Sequence, residues 1–233
     1  MDSAPVKKKS THGEVKRLIG WLIISELFLV LIYLCSAYAG NPSWHIQVLF
    51  DLDREANIPA WFSSMQLFAI GLVFLFVSCL RNFKIFTDKI FFKISGLVFI
   101  YFSMDEVAVI HEKITSFLRK FDFIPRFKGG RGIWIMVYFF IGVIIAFIFH
   151  RNFIRLYQRY RREITIIFIG CCVLVLGAVG VEILGYIFLT NSHMGLWDYI
   201  ETATEEFLEM LGASIILYGA ILSLPIYDKN RTV

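Results

Sequence analysis

Long apolar segments alternate with short polar ones along most of this chain. A helix needs about 20 apolar residues to cross roughly 30 Å of hydrocarbon. Lipid cannot hydrogen-bond a polypeptide backbone, so we expect each segment of that length to be a helix. Six segments qualify, at residues 18–38, 60–80, 90–110, 133–150, 164–189 and 202–222.

This pattern predicts an all-α integral membrane protein, a bundle of six transmembrane helices. A basic segment at 1–17 comes before the membrane domain at 18–222, and a short tail at 223–233 follows it. Composition agrees, since 58% of residues are hydrophobic and 18% are charged. Soluble domains average about 45–50% apolar and about 25% charged residues. An ordinary soluble domain and a disordered chain are therefore both excluded.

The basic residues predict the orientation of the bundle. Most of the 23 lysines and arginines lie in the two terminal segments and in the loops on the same side as the termini. By the positive-inside rule both termini are expected in the cytoplasm. The formal net charge of +4 then favours anionic lipid headgroups as a partner, and not nucleic acid.

The loop after the third segment has a second apolar pattern. Residues three, four and seven apart predict an amphipathic helix lying in the outer membrane interface: Ile114, Phe117, Leu118 and Phe121. The glycine-rich sequence that follows has three basic residues that could bind a lipid headgroup or a phosphate: Arg126, Lys128 and Arg131. A simple interfacial anchor is the alternative interpretation of this loop.

Carboxylates inside the predicted spans are the main functional signal. Each costs about 2.5–3.5 kcal/mol to insert, so the fold has to compensate them. Counted at 1.5 Å per residue, acids on the third, fifth and sixth spans lie roughly 7–10 Å inside the outer ends of their helices. The shared depth predicts one interior site, and its candidate residues are Asp105, Glu106, His111, Glu112, Glu182, Glu205, Glu206 and Glu209.

Three kinds of chemistry suit such a site. Carboxylate and imidazole ligands favour a divalent metal ion, Fe, Mn or Zn, with six predicted ligands: Asp105, His111, Glu112, Glu182, Glu205 and Glu209. Glu106 and Glu206 would then serve as the catalytic acid and base. The same acids could instead bind protons or cations, or they could pair with other residues for structural reasons alone.

Helix geometry refines this cluster. Asp105 and Glu112 are seven residues apart and share a face of a continuous helix, whereas His111 falls on a different face from Asp105 and Glu106. The acid of the first span, Glu26, lies deeper and has no evident place in the cluster. Glycines on either side of Glu182 permit either a helix break or close helix packing.

The first outer loop also has an acidic pattern. Asn57 followed by Pro59 predicts a helix start that leads into the second span. The alternative is that Asp51, Asp53 and Glu55, together with His45, form a lid over the acid cluster.

The strings DLDREANIPAWFSS and SMDEVAVIHE resemble those of uncharacterised bacterial multi-pass membrane proteins. The resemblance implies a bacterial inner-membrane setting and no particular activity. Three functions stay open from the sequence. They are a metal-dependent enzyme acting by oxidation or hydrolysis on a lipid or lipid-linked substrate, a proton- or cation-coupled transporter or channel, and a non-catalytic accessory subunit. The last would act with a membrane partner, and a homo-oligomer is possible.

Overall fold

The computed structural model describes residues 11–40, 43–121, 123–125, 132–188 and 195–224. Over these residues the chain is helical, and no strand is formed among them. The helices are α1 (Thr11–Tyr38), α2 (Trp44–Phe50), α3 (Ile58–Leu80), α4 (Phe86–Ala108), α5 (Ile110–Leu118), α6 (Ile133–Arg159), α7 (Arg161–Val175), α8 (Glu182–Phe188) and α9 (Leu196–Leu222). A π-helical segment, Leu176–Val181, joins α7 to α8.

Within the described residues, four helical stretches are long and apolar enough to cross a membrane: His12–Tyr38, Ile58–Leu80, Ile133–Arg159 and Arg161–Ile187. The pair α4 and α5 makes a fifth if it is counted as one bent span. The prediction of an all-helical membrane fold is confirmed at this level. A sixth span is not established, because α9 has several acidic residues in its first half.

Helix α9 packs at the centre of the bundle, where it contacts α1, α3, α7 and the π-helical segment. Glycines allow the closest approaches. A Cβ added to Gly212 would lie 2.5 Å from the backbone nitrogen of Leu174, and one added to Gly71 would lie 2.8 Å from the carbonyl oxygen of Gly96. Small residues therefore bring α7 against α9 and α3 against α4, as in many membrane helix pairs.

The bundle has two chemically different ends. At the basic end, Arg155 of α6 donates to Asp88 of α4 over 2.9 Å, and the guanidinium of Arg81 lies 4.1 Å from the ring centre of Tyr160. At the acidic end lie the loop 51–57, the C-terminus of α4, α5, α8 and the N-terminal half of α9. The helix start predicted at this end is confirmed, because the Asn57 side chain accepts the amide of Ala60 over 3.1 Å, and Pro59 lies in the first turn.

The third predicted span, 90–110, is not one straight helix. Helix α4 ends at Ala108, and α5 leaves it at an angle of 76°. Val109 between them adopts a left-handed conformation with φ of 54°. Most of the predicted amphipathic segment forms a helix, α5, on which Phe117 is exposed, whereas Phe121 is exposed but lies beyond its end.

Candidate functional site

The break between α4 and α5 builds the first part of the site, around Asp105. The backbone N–H of His111 donates to Asp105 Oδ1 over 2.7 Å, and His111 Nδ1 lies 3.1 Å from the same oxygen. The hydroxyl of Tyr138, on α6, donates to Asp105 Oδ2 over 2.8 Å. Both oxygens of this buried carboxylate therefore have partners from two other helices.

This arrangement corrects two predictions drawn from a continuous helix. His111 was expected on a different face from Asp105, but the turn at Val109 folds the imidazole back onto that carboxylate. Glu112 was expected to share a face with Asp105, but it lies on α5, beyond the bend, and is exposed. The phase argument failed because the two residues belong to different helices.

Glu182 is the first residue of α8, directly after the π-helical segment. Trp134 Nε1 donates to Glu182 Oε1 over 3.3 Å, and the Tyr186 hydroxyl donates to the same oxygen. Glu182 Oε2 is buried and has no hydrogen-bond partner. The Trp134 ring also packs edge-on against His111, with ring centres 5.4 Å apart. One indole thus connects the Asp105 and Glu182 parts of the site.

The acids of α9 face these groups. Glu205 interacts electrostatically with Glu182, and Glu209 interacts with both Glu182 and Glu106. Gly177 of the π-helical segment makes the close contact possible, because a Cβ there would lie 2.8 Å from the carbonyl oxygen of Glu205. The sequence allowed the glycines near Glu182 to permit either a helix break or close packing. Both features are present, because the glycines lie at a π-helical segment that packs tightly against α9.

Glu106 joins the α4 and α9 parts of the site. Its carboxylate accepts a hydrogen bond from the Ser63 side chain of α3, and it interacts electrostatically with Glu206, Asp105 and His111. Glu106 and Glu206 are both partly buried. Acids of α4, α8 and α9 are therefore near enough to influence one another's charge.

The loop 51–57 contributes exposed carboxylates at the acidic end. Partial desolvation raises the pKa of Asp53, and the neighbouring Asp51 carboxylate raises it further. Desolvation also raises the pKa of Glu55, and the carboxylate of Glu112 adds to the effect. Both residues are exposed, so this loop is where a cation from solution would first meet the acids. His45 packs against the Trp44 ring.

Among the described residues of this region, basic side chains are fewer than acidic ones. Arg54 pairs with Asp51 at 3.1 Å, and Lys113 donates to the carbonyl oxygen of Ala108 over 2.7 Å. His111 is the basic group in direct contact with a carboxylate of the cluster. An acidic cluster with so little compensation requires protons or added cations to be stable inside a membrane.

The predicted metal chemistry can be tested against these positions. Carboxylates and one imidazole suit Fe, Mn or Zn. In the described chain, however, no three or more His, Cys, Asp or Glu side chains are arranged to hold one metal ion. The predicted headgroup residues Arg126, Lys128 and Arg131 lie outside the described residues.

Several contributing residues were not among the predicted site residues. Tyr138, Tyr186 and Ser63 each hydrogen-bond a carboxylate of the cluster. The indole nitrogen of Trp134 also donates to Glu182. A polar atom on an otherwise apolar helix face was the available signal, and it is weak because tyrosine and tryptophan are common at membrane interfaces.

The acidic cluster and most of the helical bundle lie inside the region that a family model matches. No curated protein and no solved structure matches this sequence. A family model described as a domain of unknown function, DUF8692, matches residues 21–224, which include every carboxylate of the cluster. This chain therefore belongs to the DUF8692 family.

Proposed function

We propose that this protein has six spans with both termini in the cytoplasm and that it conducts protons across the bacterial inner membrane. Helix α9 is the sixth span in this proposal. Its 27 residues correspond to about 40 Å of helix, which is long enough to cross a bilayer. Its acids face the cluster and its later residues, from Met210 onward, pack in the core, so few charges would meet lipid.

The observation that supports transport is the coincidence of carboxylates with helix breaks. The α4–α5 break lies beside Asp105, and the π-helical segment lies beside Glu182. Discontinuous helices at ion sites are typical of secondary transporters, and π-helical segments are frequent at functional sites. Ionisable residues facing a bundle interior are typical of proton pathways. Helices are broken beside Asp105 and beside Glu182, and these breaks favour transport over the other functions considered.

A hydrogen-bonded series gives the cluster a route for protons. The Tyr138 hydroxyl is 2.8 Å from the hydroxyl of Tyr101, which is exposed, and Tyr138 in turn donates to Asp105. With its Nδ1 at Asp105, the imidazole of His111 can take a proton there and release it as the charge on Asp105 changes. Glu106, Glu206 and Glu209 continue the series of groups that can hold a proton toward the bundle core.

Proton flux into proteoliposomes tests this function. A pH gradient is imposed with the membrane potential clamped, and an internal pH dye reports uptake. We expect flux above empty liposomes, and at least a tenfold loss in Glu206→Gln and Glu209→Gln. Glu14→Gln is the matched control, because Glu14 is exposed near the start of α1 and should leave flux unchanged. Wild-type flux equal to that of empty liposomes would overturn the proposal.

A metal-dependent enzyme acting on a lipid or lipid-linked substrate is the second candidate, and one contact favours it. Metal-binding histidines are commonly oriented by a carboxylate at their other ring nitrogen, as Asp105 orients His111. Under this proposal Arg126, Lys128 and Arg131 hold an anionic headgroup, and Glu106 and Glu206 move protons. Metal analysis of the purified protein, with His111→Ala as comparison, separates the two functions. A stoichiometric transition metal lost in the variant would favour the enzyme.

A further inference from the structure

A second polar group lies away from the acid cluster, where α1, α3 and α9 meet. It consists of Glu26, Gln66 and Ser214, which are 0%, 3% and 0% exposed. Glu26 is twelve residues from the C-terminal end of α1, or about 18 Å along the helix. The group therefore lies near the middle of a membrane-length helix, with apolar core residues such as Ile70 around it.

The three side chains form a closed hydrogen-bonded set. Gln66 Nε2 donates to Glu26 Oε1 over 2.7 Å and to Ser214 Oγ over 2.9 Å. The Ser214 hydroxyl donates to Glu26 Oε1 over 2.6 Å. Two of the three available hydrogens thus go to Glu26 Oε1, and the third goes to Ser214 Oγ.

The other oxygens of this group have no donor. Glu26 Oε2 and Gln66 Oε1 are both buried without a hydrogen-bond partner. A buried acceptor without a donor costs about 1–3 kcal/mol, and more if it is charged. These two unsatisfied acceptors belong to side chains that already interact, so a single proton shared by the pair would satisfy both of them.

The surroundings supply no positive charge. The interactions of Glu26 with the described residues are with Gln66 and Ser214, both of which are neutral. The titratable groups nearest along the three packed helices are Tyr33 on α1, Cys79 at the far end of α3, and Glu209 and Tyr218 on α9. None of these is a cation, so an ionised Glu26 would be an unpaired charge in the core, which is strongly unfavourable.

We propose that Glu26, Gln66 and Ser214 form a proton-binding site in which Glu26 is a neutral carboxylic acid paired with the Gln66 amide. A proton on Glu26 Oε2 turns that atom into a donor and supplies Gln66 Oε1 with its partner. A metal cation fits less well, because the N–H of Gln66 and the O–H of Ser214 already point at Glu26 and would repel it.

The site also extends the proposed transport path. Ser214 follows Glu209 by five residues on α9, or about 7.5 Å. We expect the proton on Glu26 to exchange with the acid cluster along this helix. This exchange rests on the proposed function, whereas the protonated Glu26–Gln66 pair does not.

Infrared spectroscopy of the reconstituted protein tests the pair directly. The wild-type spectrum minus that of Glu26→Gln should show one carboxylic-acid C=O band at neutral pH. Glu26→Gln should fold, since glutamine supplies the donor and acceptor of the neutral acid. Gln66→Leu should retain the C=O band and shift it to higher frequency, as the band loses its hydrogen-bond partner. Glu14→Gln, the exposed control, should remove carboxylate absorption instead.

The outcomes separate the two proposals. If the band lost in Glu26→Gln is a carboxylate band between pH 5 and pH 8, the paired acid is wrong whatever the flux. If the acid band is present but Glu26→Gln retains full proton flux, the exchange with the cluster is wrong and the proposed transport stands. If wild-type flux is absent while the acid band is present, the transport function is wrong and the proton site stands.

Discussion

At the scale of single residues, Asp105 stabilises the backbone of the site as well as contributing a negative charge. Its Oδ1 accepts a hydrogen bond from the backbone N–H of His111. This N–H lies in the first turn of α5, so it has no carbonyl partner within that short helix. The carbonyl oxygen of Asp105 accepts the N–H of Val109 over 2.7 Å. One residue therefore stabilises both the end of α4 and the start of α5, and it keeps Val109 in its left-handed conformation.

Removing this carboxylate should destabilise the fold. We expect Asp105→Ala to lower the free energy of unfolding by about 1–3 kcal/mol, because it leaves the His111 amide without a buried acceptor. Asp105→Asn retains an oxygen acceptor and should cost less. Thermal unfolding in detergent measures both. Glu112→Ala changes an exposed residue of α5, next to His111, and should have almost no effect on stability. Equal stability of Asp105→Ala and Glu112→Ala would contradict this role.

The helix start in this region could be predicted from local sequence, whereas the contact between Asp105 and His111 could not. Asn57 and Pro59 form a helix start that depends on their own sequence, and it was predicted correctly. The Asp105–His111 contact depends on a left-handed valine, and β-branched residues rarely adopt that conformation. No sequence pattern indicates it, because the strain is offset by contacts with α6 that form only in the folded bundle.

At the scale of elements, the contact of α7 and the π-helical segment with α9 depends on small residues. A Cβ added to Gly170 would lie 2.7 Å from the backbone nitrogen of Ile216, and one added to Gly212 would lie 2.5 Å from that of Leu174. Neither backbone can move easily, since both are in helices. The close approach also brings the π-helical segment onto Glu205 and Glu209, so the packing of α7 on α9 determines where the acids meet.

Opposite effects are therefore expected for two glycine substitutions of the same kind. Gly212→Ala should destabilise the protein by about 1–3 kcal/mol through overpacking against α7. Gly142→Ala on α6 should stabilise it by about 0.5–1 kcal/mol, because no atom lies within 4 Å of the added methyl group and alanine favours helix. Unfolding in detergent compares the two variants. The packing argument fails if Gly212→Ala is as stable as Gly142→Ala.

Periodicity and length predicted the elements well where a helix is continuous. The second predicted span, 60–80, begins two residues late relative to α3, and the fourth, 133–150, begins where α6 begins. The first helix starts earlier than residue 18, at Thr11.

The break at Val109 was not predicted, because nothing in the sequence around it marks the end of a helix. The glycines around Glu182 allowed a break there but did not distinguish it from close helix packing. Two of the polar contacts at these breaks come from residues distant in sequence, Tyr138 at Asp105 and Trp134 at Glu182.

At the scale of the whole molecule, the two ends differ in charge and in the way charges are used. The basic end pairs its buried acid, Asp88, with Arg155 and Asn152. The acidic end has carboxylates on four helices, α4, α5, α8 and α9, and few basic partners among the described residues. By the positive-inside rule, we expect this asymmetry to orient the protein with its acidic end at the outer face.

Accessibility of introduced cysteines tests that orientation. We expect Arg54→Cys, in the loop at the acidic end, to react with a membrane-impermeant maleimide added outside intact cells, because its side chain is 62% exposed. Lys84→Cys, in the exposed loop at the basic end, should react only after the membrane is opened. The four native cysteines are first replaced with alanine, since three of them are exposed in the structure. Labelling of Lys84→Cys but not of Arg54→Cys in intact cells would reverse the orientation, and the acidic cluster would then take its protons from the cytoplasm.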